Sequence, residues 1–220
     1  MSIEAILVDL DGTLVDTAPD LVSVLNKLLT DRDLPPVPYA IARNEVSNGA
    51  LGLLRLGFPQ WRTDTELEPL RLEFLQIYTR HVCVKSRLFD GLEPIIHELR
   101  DQSIPWGIVT NKPHSMTTPL LEELALPCPP GCVVSGDRLP QRKPHPAPLL
   151  LGAEEIGMDA ERCVYVGDAR RDIDAGHAAG MATIAAAYGY IRADDDPAKW
   201  GASALIRRPG DLIDAVNGLA

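Results

Sequence analysis

The stretch from Ile3 to Thr13 constrains the fold of this chain more than any other. Residues 3–8 are almost continuously apolar without helical spacing, which is typical of a parallel strand buried on both faces. The strand ends in two carboxylates, Asp9 and Asp11, which face the same side of an extended chain because they are two residues apart. Gly12 then permits a sharp turn. We therefore predict that both carboxylates face a crevice at the carboxyl end of a strand, where open α/β sheets bind ligands.

Such a carboxylate pair can perform covalent chemistry. One carboxylate can attack as a nucleophile while its neighbour transfers protons. An Asp-Gly pair after a strand is also a common simple turn. The choice between these interpretations depends on which residues follow the later strands.

Composition narrows the class of protein. With 220 residues, of which 45% are hydrophobic, the chain can bury the core of one large domain or of one domain with an insertion. Its net charge of −10 argues against a nucleic-acid or membrane-surface protein. It shows neither a signal-peptide pattern nor an apolar run of roughly 18 residues, so we expect a cytoplasmic protein. We expect reduced thiols, with a zinc site or disulfide at Cys128 and Cys132 as the alternative.

The segment from Asp16 to Arg87 has helical patterns and no convincing strand. Thr17 suits the N-cap of a helix whose apolar residues between Leu21 and Leu29 form one stripe. Further helices are predicted at residues 39–56 and 64–82. We therefore predict a helical cap at residues 16–87, inserted into a catalytic core formed by residues 1–15 and 88–220.

After Leu88 the pattern changes to alternating strands and helices, which implies right-handed βαβ units. The predicted fold class is α/β, a Rossmann-like parallel sheet flanked by helices, with the inserted helical cap. Strands are predicted at residues 104–110, 131–135, 163–166, 182–187 and 204–206. Helices are predicted at residues 92–100, 116–126, 146–156, 171–179 and 210–219.

Polar residues stand at or near the ends of these strands. Thr110 and Asn111 follow one strand, Lys143 precedes a helix, and Asp168 and Asp172 lie four apart after another strand. Each has an ordinary alternative: a helix cap, a solvated surface lysine, or an N-cap with a first-turn acid. Their order and spacing are jointly more informative than any one of them.

In these motifs the chain resembles the haloacid dehalogenase superfamily over essentially its whole length. The family's phosphatases carry Asp-x-Asp-Gly-Thr, a strand-end Thr or Ser, a Lys, and Gly-Asp-x-x-x-Asp, all present here in that order. The resemblance implies that Asp9 is the nucleophile and forms an aspartyl-phosphate, and that Asp11 is the general acid and base. It also implies that Thr110 and Lys143 hold the phosphoryl oxygens.

The resemblance further implies a Mg²⁺ cofactor, because carboxylates alone repel a phosphate dianion. Its ligands would be Asp9, Asp168 and the backbone carbonyl of Asp11, with Asp172 orienting them. Ala169 departs from the polar residue of many relatives and could alter contacts around the metal.

Substrate choice is expected to come from the cap. We predict that Arg43, Ser47, Asn48 and Gly49, in the most polar interruption of the cap, bind substrate together with Asn111. The chain resembles the phosphoglycolate phosphatase-like group, and several stretches are closely similar to its bacterial N-acetylmuramic acid 6-phosphate phosphatases. Those stretches are 33–36, 45–50, 71–75, 88–91, 110–113, 188–191 and 199–202.

That similarity implies a small phosphorylated metabolite, N-acetylmuramic acid 6-phosphate from cell-wall recycling, whose carboxylate Arg43 could meet. Phosphoglycolate is the alternative substrate. A sugar phosphomutase or a non-enzymatic binding module of the same fold is less favoured, because all four motifs are intact.

Overall fold

A computed structural model describes residues 3–61 and 63–219 of the chain. Six parallel strands form the main sheet in the order β5-β4-β1-β6-β7-β8, and β2 pairs antiparallel with β3. In chain order the strands are β1 Ala5–Val8, β2 Val15–Asp16, β3 Arg87–Leu88, β4 Trp106–Val109, β5 Cys132–Val134, β6 Cys163–Gly167, β7 Ala182–Ala186 and β8 Ala204–Ile206.

Strand β1 lies at the centre of the sheet. Every residue of β1, β4 and β6 is buried, as expected for parallel strands covered on both faces. Alternate side chains of β1 contribute to two apolar clusters, Ile6 and Val8 to one and Ala5 and Leu7 to the other. The carboxyl ends of β1, β4 and β6 are therefore neighbours at one edge of the sheet.

The described residues also form nine α-helices. Four lie between β2 and β3, namely α1 Ala18–Thr30, α2 Tyr39–Ala42, α3 Gly49–Gly57 and α4 Asp64–Arg80. The later helices are α5 Leu92–Asp101, α6 His114–Leu124, α7 Ala147–Glu155, α8 Arg170–Ala178 and α9 Leu212–Asn217. The predicted fold class, a Rossmann-like parallel sheet with an inserted helical cap, is confirmed.

The cap helices have an apolar core of their own. Buried residues of α1, α3 and α4 form one cluster, to which the later chain adds Met116 and Tyr190. Helix α4 begins with a capping box, in which the Glu66 backbone N–H donates to Thr63 and the Thr63 N–H donates to the Glu66 carboxylate. These helices therefore pack as one unit above the carboxyl edge of the sheet.

Three details differ from the sequence predictions. The predicted helix at 39–56 is interrupted by a 3₁₀ helix, Arg43–Asn48, and Gly49 after it has φ +68°. The two-residue strands β2 and β3 lie where no strand was predicted, and they form the crossing point between core and cap. Thr17 stands at the N-cap position of α1, but its side chain makes no capping hydrogen bond.

The helices of residues 3–61 and 63–219 include none that combines the length and apolar composition needed to cross a bilayer.

Candidate active site

Three neighbouring strands place the predicted motif residues side by side. Asp9 follows β1, Thr110 follows β4, and Asp168 follows β6, and all three are at most 4% exposed. The Asp9 N–H donates to the Val166 carbonyl at 2.9 Å, which extends the strand pairing to the first carboxylate. These three motif residues therefore meet at one buried edge of the sheet, formed by the carboxyl ends of β1, β4 and β6.

Lys143 lies behind this edge as a buried cation. Its Nζ is 2.9 Å from Asp9 Oδ1 and 2.8 Å from Asp172 Oδ1, and it donates to Tyr165 Oη at 2.7 Å and to the Val109 carbonyl at 3.1 Å. A buried ammonium is costly unless it is paired and hydrogen-bonded in this way. The lysine therefore supplies fixed positive charge beside Asp9.

Asn111 holds Lys143 in this place. Its side-chain amide donates to the Lys143 carbonyl at 3.0 Å and accepts from the Lys143 N–H at 3.1 Å. Asn111 lines the cavity described below, but both ends of its amide are engaged by backbone. The structure thus gives Asn111 a positioning contact, while the predicted substrate contact stays a prediction.

Asp9, Asp168 and Asp172 form a compact acidic cluster. One carboxylate oxygen from each lies within 4.8 Å of the others, and all three residues are buried. Burial first, and then the carboxylates of Asp172 and Asp9, raise the pKa of Asp168 to about 7. Asp168 Oδ1 is buried and has no hydrogen-bond partner among the described residues. Such an arrangement of carboxylates is unfavourable by itself and suits a cation.

The other oxygen of Asp168 is tightly held. Oδ2 accepts from Ser47 Oγ at 2.7 Å and from the Tyr190 N–H at 2.8 Å. Gly12, with φ +85°, packs against it so closely that a Cβ there would lie 2.1 Å from Oδ2. The glycine of the first motif therefore serves both the turn and the close approach to Asp168.

Asp172 is oriented by two contacts. Beside the ion pair with Lys143, its Oδ2 accepts from the Ala169 N–H at 3.0 Å. Because Ala169 uses only its backbone here, the missing polar side chain at this position leaves the contact with Asp172 intact.

Asp11 lies at the front of the site, facing the cap. Its Oδ1 accepts a hydrogen bond of 2.6 Å from the Thr17 hydroxyl. Thr17 therefore binds Asp11 and does not cap α1. Lys112 Nζ is 3.0 Å from the same oxygen and 3.3 Å from Oδ2. Asp11 is thus held by Thr17, which follows β2, and by Lys112, in the loop after β4.

A cavity of about 380 Å³ separates this edge from the cap. Asp9, Asp11 and Thr110 line its floor, and the predicted cap residues Ser47, Asn48 and Gly49 line its roof. Apolar side chains form much of its wall, namely Leu21, Val46, Phe74, Leu75 and Met116. The cavity therefore combines a charged floor with an apolar side.

Arg43 is not among the residues that line the cavity. Its guanidinium donates to the carbonyls of Gly189 at 2.9 Å and Tyr188 at 3.1 Å, and lies 4.8 Å from the centre of the Tyr190 ring. The cation that sequence analysis assigned to the substrate's carboxylate is placed between cap and core instead.

Four cations that sequence analysis did not assign do line the cavity: Arg71, Lys112, Arg142 and Arg171. Arg71 pairs with Glu68 through two contacts, and Arg171 donates to the Ser47 carbonyl at 2.8 Å. Lys112, Arg142 and Arg171 are chain neighbours of predicted site residues, and Arg71 and Lys112 also lie in the similar stretches 71–75 and 110–113. Neither signal assigned these cations to the cavity.

Comparison with known proteins identifies the family. The family model described as haloacid dehalogenase-like hydrolase matches residues 6–186, which include every motif residue of the site. The chain belongs to the haloacid dehalogenase-like hydrolases. The predicted family and enzyme class, a phosphoric monoester hydrolase, are confirmed.

Curated relatives of two kinds are similar to this member of the family. An N-acetylmuramic acid 6-phosphate phosphatase of Pseudomonas aeruginosa is 38% identical over 99% of this chain and 96% of its own. A phosphoglycolate phosphatase of Xanthomonas campestris is 42% identical over 94% of each chain. A crystal structure described as a predicted phosphoglycolate phosphatase from Haemophilus somnus superposes with a TM-score of 0.84, at 28% identity over 97% of this chain and 98% of that one.

Proposed function

We propose that this enzyme hydrolyses a phosphate monoester through a phosphoryl group carried on Asp9. The single observation that supports this most is the buried Asp9 carboxylate on the cavity floor, with Lys143 Nζ at 2.9 Å. Asp9 forms a bond to phosphorus while the ester's P–O bond breaks, and Asp11 gives a proton to the departing alcohol. Asp11 then takes a proton from the water that cleaves the aspartyl-phosphate.

The acidic cluster fits a hard divalent cation, for which we propose Mg²⁺. Oxygen donors of carboxylates are the ligands that Mg²⁺ prefers, and the buried Asp168 Oδ1 lacks any other partner among the described residues. Asp9, Asp168 and the Asp11 carbonyl would hold the ion, with Asp172 oriented by Lys143 and Ala169. A bound Mg²⁺ supplies positive charge that offsets the repulsion between the carboxylates and the phosphate.

Thr110 and Lys143 have the chemistry to hold the phosphoryl oxygens. The Thr110 hydroxyl lies on the cavity floor and accepts from the Lys112 N–H at 3.1 Å, which leaves its own hydrogen for a ligand. Lys143 supplies an ammonium beside Asp9. Fixed donors of this kind stabilise charge that develops in a transition state.

For the substrate we propose N-acetylmuramic acid 6-phosphate, in cell-wall recycling. A cavity of about 380 Å³ is in the range that proteins use for ligands of roughly drug size, 300–1,000 Å³. Its apolar wall offers contacts to acetyl and lactyl methyl groups, which phosphoglycolate lacks. The similarity to the Xanthomonas phosphoglycolate phosphatase keeps phosphoglycolate as the second candidate.

The two substrates are separated by kcat/KM measured side by side, with N-acetylglucosamine 6-phosphate as a third ester that has the sugar but no carboxylate. We expect the muramic acid ester to be hydrolysed best. A tenfold or greater preference for phosphoglycolate would replace the first candidate with the second. Hydrolysis of no ester, with Mg²⁺ present, would overturn the proposed function itself.

Arg142 is our candidate for the cation that meets the substrate's carboxylate. It lines the cavity, its side chain is exposed, and among residues 3–61 and 63–219 it has no ion-pair partner. Arg142→Ala should lower kcat/KM for the muramic acid ester roughly tenfold and leave N-acetylglucosamine 6-phosphate little changed. Arg43→Ala is the matched variant. If Arg43→Ala reduces the difference in kcat/KM between the two sugar esters and Arg142→Ala does not, Arg43 is the residue that binds the carboxylate.

A further inference from the structure

Lys112 is a buried cation that none of the four motifs includes. It is 8% exposed, and its Nζ lies 3.0 Å from Asp11 Oδ1 and 4.6 Å from the centre of the Tyr78 ring of α4. Asp11 is its only ion-pair partner within the described parts of the chain. The cation is therefore enclosed between the proposed proton-transfer residue of the core and an aromatic ring of the cap.

The backbone of Lys112 is fixed as firmly as its side chain. Its N–H donates to Thr110 Oγ1 at 3.1 Å, and its carbonyl accepts from the Gly136 N–H at 2.8 Å. Burial is the largest single influence and lowers the pKa of Lys112, but the Asp11 carboxylate and the Tyr78 side chain together outweigh it and raise that pKa above its ordinary value. Lys112 thus stays charged at the place where it contacts Asp11.

The two oxygens of Asp11 have different surroundings. Oδ1 receives the Thr17 hydroxyl at 2.6 Å and the Lys112 ammonium at 3.0 Å, whereas Oδ2 has only the longer 3.3 Å contact to Lys112. A carboxylate held by strong donors on one oxygen can still exchange a proton through the other. Oδ1 is therefore the oxygen that is held in place, and Oδ2 is the oxygen that is available for proton transfer.

We propose that Lys112 is a positioning residue for Asp11: together with Thr17 it anchors Oδ1, so that Oδ2 meets the oxygen of the leaving alcohol. This inference rests on the proposed function. The proton on Oδ2 moves to the alcohol oxygen as the P–O bond breaks and the bond from Asp9 to phosphorus forms. Lys112 keeps its own proton throughout, and Asp11 recovers one from the attacking water.

The test uses two esters that differ in their need for a proton. The leaving oxygen of a sugar 6-phosphate must be protonated, because it would otherwise depart as an unstable alkoxide. 4-Nitrophenyl phosphate releases a stable phenolate, which needs no proton. Lys112→Met retains length and removes charge. Because general acid catalysis contributes roughly 10²–10⁴ in rate, we expect kcat on the sugar phosphate to fall at least tenfold more than kcat on the aryl phosphate, with KM nearly constant for both.

Three controls make the result specific. Lys27→Met is the same substitution at an exposed cap lysine paired with Asp31, and it should leave both esters unchanged. In an Asp11→Asn background, Lys112→Met should cost less than twofold further, because the residue that it positions is already disabled. Lys112→Arg retains the charge and should recover part of the selective loss; thermal denaturation shows that each variant is folded.

Equal losses on both esters would overturn the inference. So would a rise in KM for both together with a weaker inhibition constant for inorganic phosphate, which would make Lys112 a phosphate ligand. If Lys112→Met does not fold, Lys112→Arg replaces it, and equal losses on both esters in that variant would overturn the inference in the same way. Wild-type protein that hydrolyses neither ester would instead refute the proposed function.

Discussion

Ser47 of the cap donates a hydrogen bond of 2.7 Å to Oδ2 of Asp168 in the core. The same cap residue accepts at its carbonyl from Arg171, two residues beyond Ala169. The proposed metal ligand and the roof of the cavity are therefore joined directly. Moving the cap away from the core would therefore remove a hydrogen-bond donor from the acidic cluster.

The first prediction concerns this contact. Ser47→Ala removes one of the two donors to Asp168 Oδ2, leaving the Tyr190 N–H. Losing a group that orients a metal ligand typically costs 10- to 100-fold in metal affinity or activity, so we expect the Mg²⁺ concentration for half-maximal activity to rise about tenfold. Ser47→Thr keeps the hydroxyl and should stay near wild type. An unchanged Mg²⁺ requirement in Ser47→Ala would show that the contact is only structural.

The second prediction concerns pH. The pKa of Asp168 is raised to about 7 in the folded protein and is about 3.9 in an unfolded chain. Between these values the metal-free folded state binds one more proton than the unfolded state, so the stability contributed by this group is lost as pH rises through about 7. Thermal denaturation without metal should show this decline.

Mg²⁺ competes with that proton and should raise Tm more at pH 8 than at pH 6. Asp168→Asn is the control, because it removes both the titrating carboxyl and the metal ligand. Its Tm should rise little on addition of Mg²⁺ at either pH. Identical gains at pH 6 and pH 8 in the wild type would contradict the assignment of Asp168 as a ligand.

The third prediction separates backbone strain from steric exclusion at Gly12. Gly12→Ala introduces a Cβ 2.1 Å from Asp168 Oδ2 at φ +85°, and we expect at least a 100-fold loss of kcat. Gly157 has φ +71° with nothing within 4 Å of an added Cβ. Gly157→Ala should therefore cost only roughly 1–2 kcal/mol of unfolding free energy and preserve kcat. Similar activities for the two variants would show that the contact with Asp168 is unimportant.

The fourth prediction concerns the attachment of the cap. Asp20 of α1 is 5% exposed and accepts from the Lys85 N–H, the Ser86 N–H and the Ser86 hydroxyl, just before β3. Asp20→Ala leaves the two buried donors of Ser86 and the partly buried Lys85 N–H unpaired, which should lower the free energy of unfolding by roughly 2–4 kcal/mol. Asp31→Ala, which removes an exposed ion pair with Lys27, should cost less than about 1 kcal/mol. Denaturant titration would refute the prediction if both variants lost the same amount.

Much of the fold could be predicted because buried parallel strands and amphipathic helices leave strong patterns. Strands β1, β4 and β6 appear as apolar runs, and the polar residues that follow them meet at one edge, as parallel topology requires. The two-residue strands β2 and β3 are too short for any periodicity. The segment Arg43–Asn48 is the most polar interruption of the cap, but it contains neither proline nor glycine, so its polarity did not by itself predict that a helix ends there.

The contacts that complete the site were less accessible to sequence reasoning. A single lysine such as Lys112 is ordinarily a surface residue, and its burial depends on Asp11, 101 positions earlier. Arg43 has backbone carbonyls as partners, at Tyr188 and Gly189, and carbonyls leave no charge pattern in a sequence. Tertiary geometry alone determines which of the polar cap residues face the cavity.

The most direct test of the proposed mechanism is whether Asp9 carries the phosphoryl group during turnover. The enzyme, mixed with substrate and Mg²⁺ and quenched in acid within one turnover, should yield a peptide with one phosphoryl group on Asp9 by mass spectrometry. The Asp9→Asn variant should carry no phosphoryl group at this position. It should retain less than about a tenth of wild-type kcat, which corresponds to an activation barrier raised by more than about 1.4 kcal/mol. A label on another residue, or an active Asp9→Asn enzyme, would contradict the central claim.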